Sequence, residues 1–305
     1  MNKIICIVGP TGVGKTKLSI ELAKRFNGEV INADSTQIFK TLDIATAKVT
    51  EEEKEGIIHH LLDIKEITEN YTVFDYQKDG RKCIKQILNK NKTPIIVGGT
   101  GLYIKALLYD YKFEEETNKG NYSNYTKEEL YKKVLEINPN TNIHINNRKR
   151  LERFLDFYNN TGQIIEDNKT DKLLYDCVFI GLTTNREVLY EKINKRVDIM
   201  VKNGLILESK KIYDSNVRTK AIMTPIGYKE LFPYFEGKKD LNECLEEIKQ
   251  NSRRYAKRQY TWFNNQMNIN WFDADFNDFN KTINDIYNFI QKNGSLSNSV
   301  GGTKN

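Results

Sequence analysis

GPTGVGKT, residues 9–16, lies between an apolar run from Lys3 to Val8 and an amphipathic stretch, KLSIELAKRF. It matches G-x-x-x-x-G-K-[ST] in full, in the strand–loop–helix setting that this pattern needs to function. Its glycines let the backbone turn N–H groups toward an anion at the positive end of the following helix. Gly9, Pro10, Thr11, Gly12, Val13, Gly14, Lys15 and Thr16 are therefore expected to cradle phosphate groups. Lys15 should reach the outermost phosphate and the Thr16 hydroxyl should help to hold Mg²⁺. If a diphosphate leaves during the reaction, the same loop stabilises the charge as it develops.

Outward from the loop, strand and helix patterns alternate. Glu29 to Ala33 reads as a second buried strand, Phe74 to Asn89 as a helix and TPIIVGG as another strand. Such alternation predicts an α/β fold, a parallel sheet flanked by helices of the P-loop NTPase-like kind. From about Glu114 to Lys172 the chain turns polar and Asn-rich, with helical pieces KEELYKKVLEIN and NRKRLERFLDFYNN. This predicts a small inserted helical domain at 114–172, within a catalytic domain made of 1–113 and 173–292. YDCVFIGL restores a strand, and long helices are expected at about 186–215 and 241–265. A short last helix should start at Lys281, and the tail 293–305 reads as disordered.

The 305 residues are 39% hydrophobic and 29% charged, with a net charge of +6 that favours polyanions only weakly. Cys6, Cys83, Cys177 and Cys244 are far apart and form no CxxC pair, so reduced structural thiols are expected. No run approaches the roughly 18 apolar residues of a membrane span, which predicts a cytoplasmic protein with no membrane partner. No apolar strand ending in Asp, with the features of a motor ATPase, follows the loop. A kinase or group transferase remains open.

Asp34-Ser35-Thr36-Gln37 follows the second strand at the sheet edge from which the phosphate loop emerges, where open α/β sheets bind ligands. A carboxylate there can ligate Mg²⁺, accept a proton from an amine or hydroxyl, or merely cap the turn. Ser35 and Gln37 supply groups that can read a base edge. Thr100, in the glycine turn GGTGLY at 98–103, is either a contact at the same edge or part of a tight turn. His59-His60 has no third ligand at metal spacing and reads as a hydrogen-bonding structural pair, or else as one ring reaching substrate while the other packs.

Two basic clusters offer phosphate-backbone contacts, or else are solvated helix faces. One is Arg148-Lys149-Arg150 with Arg153; the other is Arg253-Arg254 with Lys257-Arg258-Gln259, where Arg254, Lys257 and Arg258 share a face. Arg196 and Lys195 are a lesser case, offset by acidic neighbours.

Taken in order, GPTGVGKT, INADSTQIFK, DIATAKVT, HHLLDI, PIIVGGTGLYIKALL, LYEKINKRVDIMVKNGLI, IGYKE and YAKRQYTWF resemble the tRNA dimethylallyltransferase (isopentenyltransferase) family from about Lys3 to Phe272. The resemblance implies transfer of a dimethylallyl group from dimethylallyl diphosphate to N6 of the adenosine immediately 3′ of the anticodon. The tRNAs concerned read codons beginning with U, and the product is N6-(dimethylallyl)adenosine. It further implies a Mg²⁺-dependent monomer whose inserted domain grips the tRNA anticodon stem-loop and whose target base is flipped into a channel. On these positions Thr11 to Thr16 would hold the diphosphate, with Lys15 and Thr16 in the catalytic set and Thr16 on the metal. Asp34 would be the general base. Ser35, Thr36, Gln37 and Thr100 would face the tRNA, with Arg148, Arg150, Arg254, Lys257 and Arg258 on its backbone.

The insert departs from the family pattern at Asn138, Ile145, Asn147 and Phe154-Leu155-Asp156, and Thr224 stands where some members place an arginine. These changes bear on individual RNA and diphosphate contacts; residues 9–16 and 34–37 are intact. A small-molecule kinase or an adenylate prenyltransferase would use the same loop without needing the insert. An RNA-binding protein without activity would leave the loop idle.

Overall fold

The computed structural model describes residues 3–113, 119–164 and 172–295. In chain order it contains β1 (Ile4–Val8), α1 (Lys15–Arg25), β2 (Gly28–Asn32), α2 (Glu51–Lys54), β3 (His59–His60), α3 (Val73–Asn89), β4 (Thr93–Val97) and α4 (Gly101–Leu108). Then come α5 (Lys127–Ile137), α6 (Arg148–Thr161), β5 (Cys177–Thr183), α7 (Arg186–Lys202), α8 (Leu205–Asp214), α9 (Lys220–Met223) and a 3₁₀ turn at Lys229–Leu231. The chain closes with α10 (Phe232–Phe235), α11 (Leu241–Gln266), β6 (Asn270–Asp273) and α12 (Phe279–Ser295).

The strands form one parallel sheet in the order β3-β2-β4-β1-β5-β6. Every residue of β1 and β2 is buried, as a parallel sheet covered on both faces requires. Alternate residues of β1 enter opposite cores. Ile4, Cys6 and Val8 pack with Ile84 and Ile87 of α3, Leu107 of α4 and Ile248 and Phe263 of α11. Ile5 and Ile7 pack with Leu18 and Leu22 of α1, Ile193 of α7 and Ile283 and Ile286 of α12.

Two compact units result: Met1–Tyr109 with Leu173–Asn305, and Asp110–Lys172. The second has its own core of Leu130 and Val134 from α5 and Leu151, Phe154 and Leu155 from α6. Its helices start at strong caps, Thr126 in a reciprocal capping box with Glu129 and Asn147 accepting from the Arg150 N–H.

Several expected boundaries move. The stretch 186–215 is two helices, because Gly204 takes φ 100° and ends one while starting the next. The final helix begins at Phe279 and runs to Ser295, so it is longer than its apolar pattern indicates and takes in the first residues of the expected tail. The rest of that tail, 296–305, lies outside the described residues. The short edge strands β3 and β6 were not foreseen. They are too short or too polar to show a strand period.

The histidine pair forms β3, with His59 Nδ1 bonded to the Ile57 carbonyl and His60 Nε2 to Glu29 at 2.7 Å. The Glu29 carboxylate, 1% exposed, also receives Lys92 at 2.9 Å and Lys90 at 3.2 Å. Burial alone would raise its pKa, but the hydrogen bonds from His60, Lys92 and Lys90 outweigh it and hold the group at about 2. Glu29→Gln should cost about 1–3 kcal/mol in urea unfolding at pH 7. Because the folded pKa is depressed, that stabilisation is present above about 4.5, the ordinary value. It fades as pH falls toward about 2, so the gap between the two proteins should close over that window.

Candidate active site

β1, β2 and β4 deliver three loops to one edge of the sheet: 9–14, 33–37 and 98–100. They meet at a cavity of about 920 Å³ whose lining includes Thr11, Lys15, Asp34, Arg196, Tyr255 and Gln259.

The first loop has the backbone of an anion cradle. Gly9, Gly12 and Gly14 have φ of 142°, 89° and 93°. A β-carbon on Gly9 would lie 2.4 Å from the Leu182 carbonyl oxygen, so β5 closes that side and only glycine fits. Gly14 begins α1 with no side-chain cap, which leaves the helix N–H groups for a ligand. Lys15 folds back onto the Gly9 and Pro10 carbonyls at 3.0 and 2.8 Å. Burial, with the Arg196 guanidinium beside it and Asp34 opposing, lowers its pKa to about 7. Arg196 donates to the Thr11 hydroxyl at 2.9 Å and so brings a second cation to the loop.

The second loop is built around Asp34. Buried Asn32 accepts the Asp34 N–H at 3.0 Å and donates to the Asp34 and Leu61 carbonyls, which fixes the end of β2. Asp34 Oδ1 receives both the N–H and the hydroxyl of Thr36, at 2.9 and 2.7 Å. Thr36 thus orients the carboxylate. The Gln37 amide nitrogen donates to the Thr46 and Ala47 carbonyls and braces the segment that follows. In the third loop, the Thr100 hydroxyl accepts the Ser35 N–H at 3.0 Å and donates to Ser35 Oγ at 3.3 Å. The structure therefore sets Thr100 against Ser35, one side chain behind the carboxylate.

This arrangement can hold a diphosphate at one wall and a proton acceptor at another, which is the equipment of a group transferase. The family model of IPP transferase matches residues 37–266 of the chain. The chain belongs to the IPP transferase family. A tRNA dimethylallyltransferase of Anoxybacillus flavithermus is 48% identical over 300 residues, covering 95% of this chain and 96% of its own length. The full-length tRNA isopentenylpyrophosphate transferase of Bacillus halodurans is similar in structure, with a TM-score of 0.76 at 41% identity over 98% of this chain and 100% of that one. A eukaryotic dimethylallyltransferase crystallised acting on tRNA gives a TM-score of 0.83 at 30% identity, over 97% of this chain and 80% of its own.

Within this IPP transferase the expected basic residues divide. The Arg148 guanidinium is spent inside its own unit, on Glu152 at 2.7 Å and on the Tyr125 and Tyr122 carbonyls at 2.7 and 2.6 Å. It fastens α6 to the segment before α5, so an RNA phosphate would have to compete for it. Arg150 is exposed. On α11, Arg254, Lys257 and Arg258 are exposed, with Arg258 over the Tyr255 ring and on the cavity wall. Arg253 instead bonds Asn194 of α7. Thr224 does line the cavity, but it brings no charge there.

Asn32, Arg196 and Gln259 enter the site without having been singled out for it. Asn32 lies in the motif INADSTQIFK, and Arg196 and Gln259 in the motifs LYEKINKRVDIMVKNGLI and YAKRQYTWF. For Asn32 the available signal was a polar residue at the end of an otherwise apolar strand.

Proposed function

We propose that this chain transfers the dimethylallyl group of dimethylallyl diphosphate to N6 of the adenosine immediately 3′ of the anticodon, in tRNAs that read codons beginning with U. The observation that carries this reading is the placing of a glycine-rich phosphate loop, with Lys15 and Arg196, on the same cavity as the Thr36-oriented carboxylate of Asp34.

The adenine amine is a weak nucleophile, because its lone pair is delocalised into the ring. Asp34 takes the N6 proton through Oδ2 as the bond from N6 to the allylic carbon forms. The bond from that carbon to oxygen breaks, and its electron pair leaves with the diphosphate. The loop N–H groups, Lys15 and Arg196 hold the departing charge. Among the described residues no cluster of His, Cys, Asp and Glu could hold a metal alone. Mg²⁺ suits this site because it binds through few protein oxygens, with substrate phosphates and water completing its shell. Thr16 is the residue that would hold it, and the ion would supply further charge neutralisation on the diphosphate.

A polyanionic substrate accounts for the exposed cations. Arg254, Lys257 and Arg258 on α11, and Arg150 in the 110–172 unit, would contact the stem-loop backbone. The base itself must leave the stack to reach a carboxylate at the end of β2. Among the described residues no helix is long and apolar enough to cross a membrane.

The test is transfer of label from dimethylallyl diphosphate, with Mg²⁺, to an unmodified anticodon stem-loop, run beside AMP. Label on N6 of the stem-loop and none on AMP is expected. Label on AMP alone would make the chain a free-nucleotide prenyltransferase, and a phosphoryl group moved instead would overturn the prenyl reading altogether.

A further inference from the structure

Gln259 lies on the buried side of α11, 5% exposed, with both ends of its amide in use. Its Oε1 accepts the Thr11 N–H at 2.9 Å, and its Nε2 donates to the Gly99 carbonyl at 3.1 Å. Tyr255, one helical turn earlier, lines the same cavity. Thr11 belongs to the phosphate loop after β1, whereas Gly99 belongs to the turn after β4. The next residue, Thr100, holds the Ser35 N–H beside Asp34. A single amide thus ties the loop for the leaving group to the turn that supports the proton acceptor. Gly99 has no side chain where one would block this tie, since a β-carbon there would lie 2.0 Å from Gln259 Nε2.

Two reactants carried on separate loops react at a rate set by how well those loops hold them in register, and a misplacement of about 1 Å can cost ~10²-fold. We propose that Gln259 is a positioning residue for the transfer, a cross-tie that fixes the spacing between the diphosphate loop and the acceptor turn. This rests on the prenyl-transfer reading above. Gln259 acts through Thr11 and Gly99, so its removal leaves each substrate's own contacts in place. Lys15 and Arg196 remain on the donor side, and Thr36 still orients Asp34.

The experiment compares the wild-type protein with Gln259→Ala and Gln259→Glu, using dimethylallyl diphosphate, Mg²⁺ and the stem-loop. For Gln259→Ala, kcat should fall about 10–100-fold, with KM for each substrate within about threefold and the melting midpoint retained. The Thr11 amide proton, followed by NMR hydrogen exchange, should exchange faster once its acceptor is gone. Gln259→Glu keeps that acceptor and hence the slow exchange, but sets a carboxylate against the Gly99 carbonyl and beside the diphosphate. Its kcat should fall likewise, and its KM for the diphosphate should also rise. An unchanged kcat in Gln259→Ala, in a preparation whose wild type is active, overturns the proposal. So does a loss that comes with a collapsed melting midpoint and raised KM for both substrates, which would make Gln259 a general prop of the fold. A wild type that transfers nothing defeats the parent reading instead; unaltered Thr11 exchange in Gln259→Ala then removes the tie as well.

Discussion

Asp34→Asn should lower kcat for prenyl transfer by about 10²–10⁴-fold while leaving KM for the stem-loop near its wild-type value. The substitution isolates charge and basicity from geometry. Asn keeps an Oδ1 that can accept both the N–H and the hydroxyl of Thr36, so the turn stays formed and the side chain stays aimed. What it lacks is an oxygen able to take the N6 proton. Asp34→Ala also frees Thr36 and should add a loss of stem-loop affinity that Asp34→Asn does not show. The check is a steady-state comparison of the two variants, with wild-type and Thr36→Val proteins beside them. Thr36→Val should fall in between, because it removes one of the two bonds that orient the carboxylate. An Asp34→Asn protein with wild-type kcat would mean that the proton leaves by another route.

How much of this site the sequence reveals depends on how local its constraints are. The phosphate loop is legible because glycine spacing, strand context and Lys15-Thr16 lie within a few residues, and their chemistry is specific to anions. Asp34 is legible as a carboxylate at the end of β2, although not its coupling to Thr36, which could equally have faced the RNA. Arg196 and Gln259 reach the loop from 185 and 248 residues away, through the crossing of α7 and α11. Nothing near them in sequence distinguishes a cation or amide aimed at the site from one facing solvent. Arg196 stands between Glu191 and Asp198 and so reads as a balanced surface charge. Arg148 fails in the opposite direction. It sits in a conspicuous basic run, yet two of its partners are carbonyls of the segment before α5 that no pattern announces. The sheet is similar: β1, β2, β4 and β5 are apolar runs, whereas β6 is a half-exposed edge strand recognisable only by its pairing with β5.

The phosphate loop also carries a pH dependence whose sign follows from Lys15. Without ligand this lysine is folded onto two carbonyls and its pKa lies at about 7, depressed by burial and by Arg196. A bound diphosphate replaces those carbonyls with full negative charge and favours the ammonium form, so binding above pH 7 must draw in a proton. The apparent affinity for dimethylallyl diphosphate should therefore be steady below about pH 7. It should weaken by at most about tenfold per pH unit above that, until the pKa of the bound lysine is passed. Titration calorimetry in two buffers of different ionisation enthalpy measures the proton taken up directly. Lys15→Arg should flatten the profile, because a guanidinium stays charged throughout, although its fork will not reproduce the lysine's reach. Lys15→Ala removes the cation altogether and should lower kcat/KM by about 10²–10³-fold, the scale for losing one donor to a developing anion. Affinity that is flat from pH 6 to 9 in the wild-type protein, with no proton uptake, would show that Lys15 is already charged when the ligand arrives. The depressed pKa would then have no part in recognising the diphosphate, and Arg196 with the loop N–H groups would remain as the pH-independent part of the anion site.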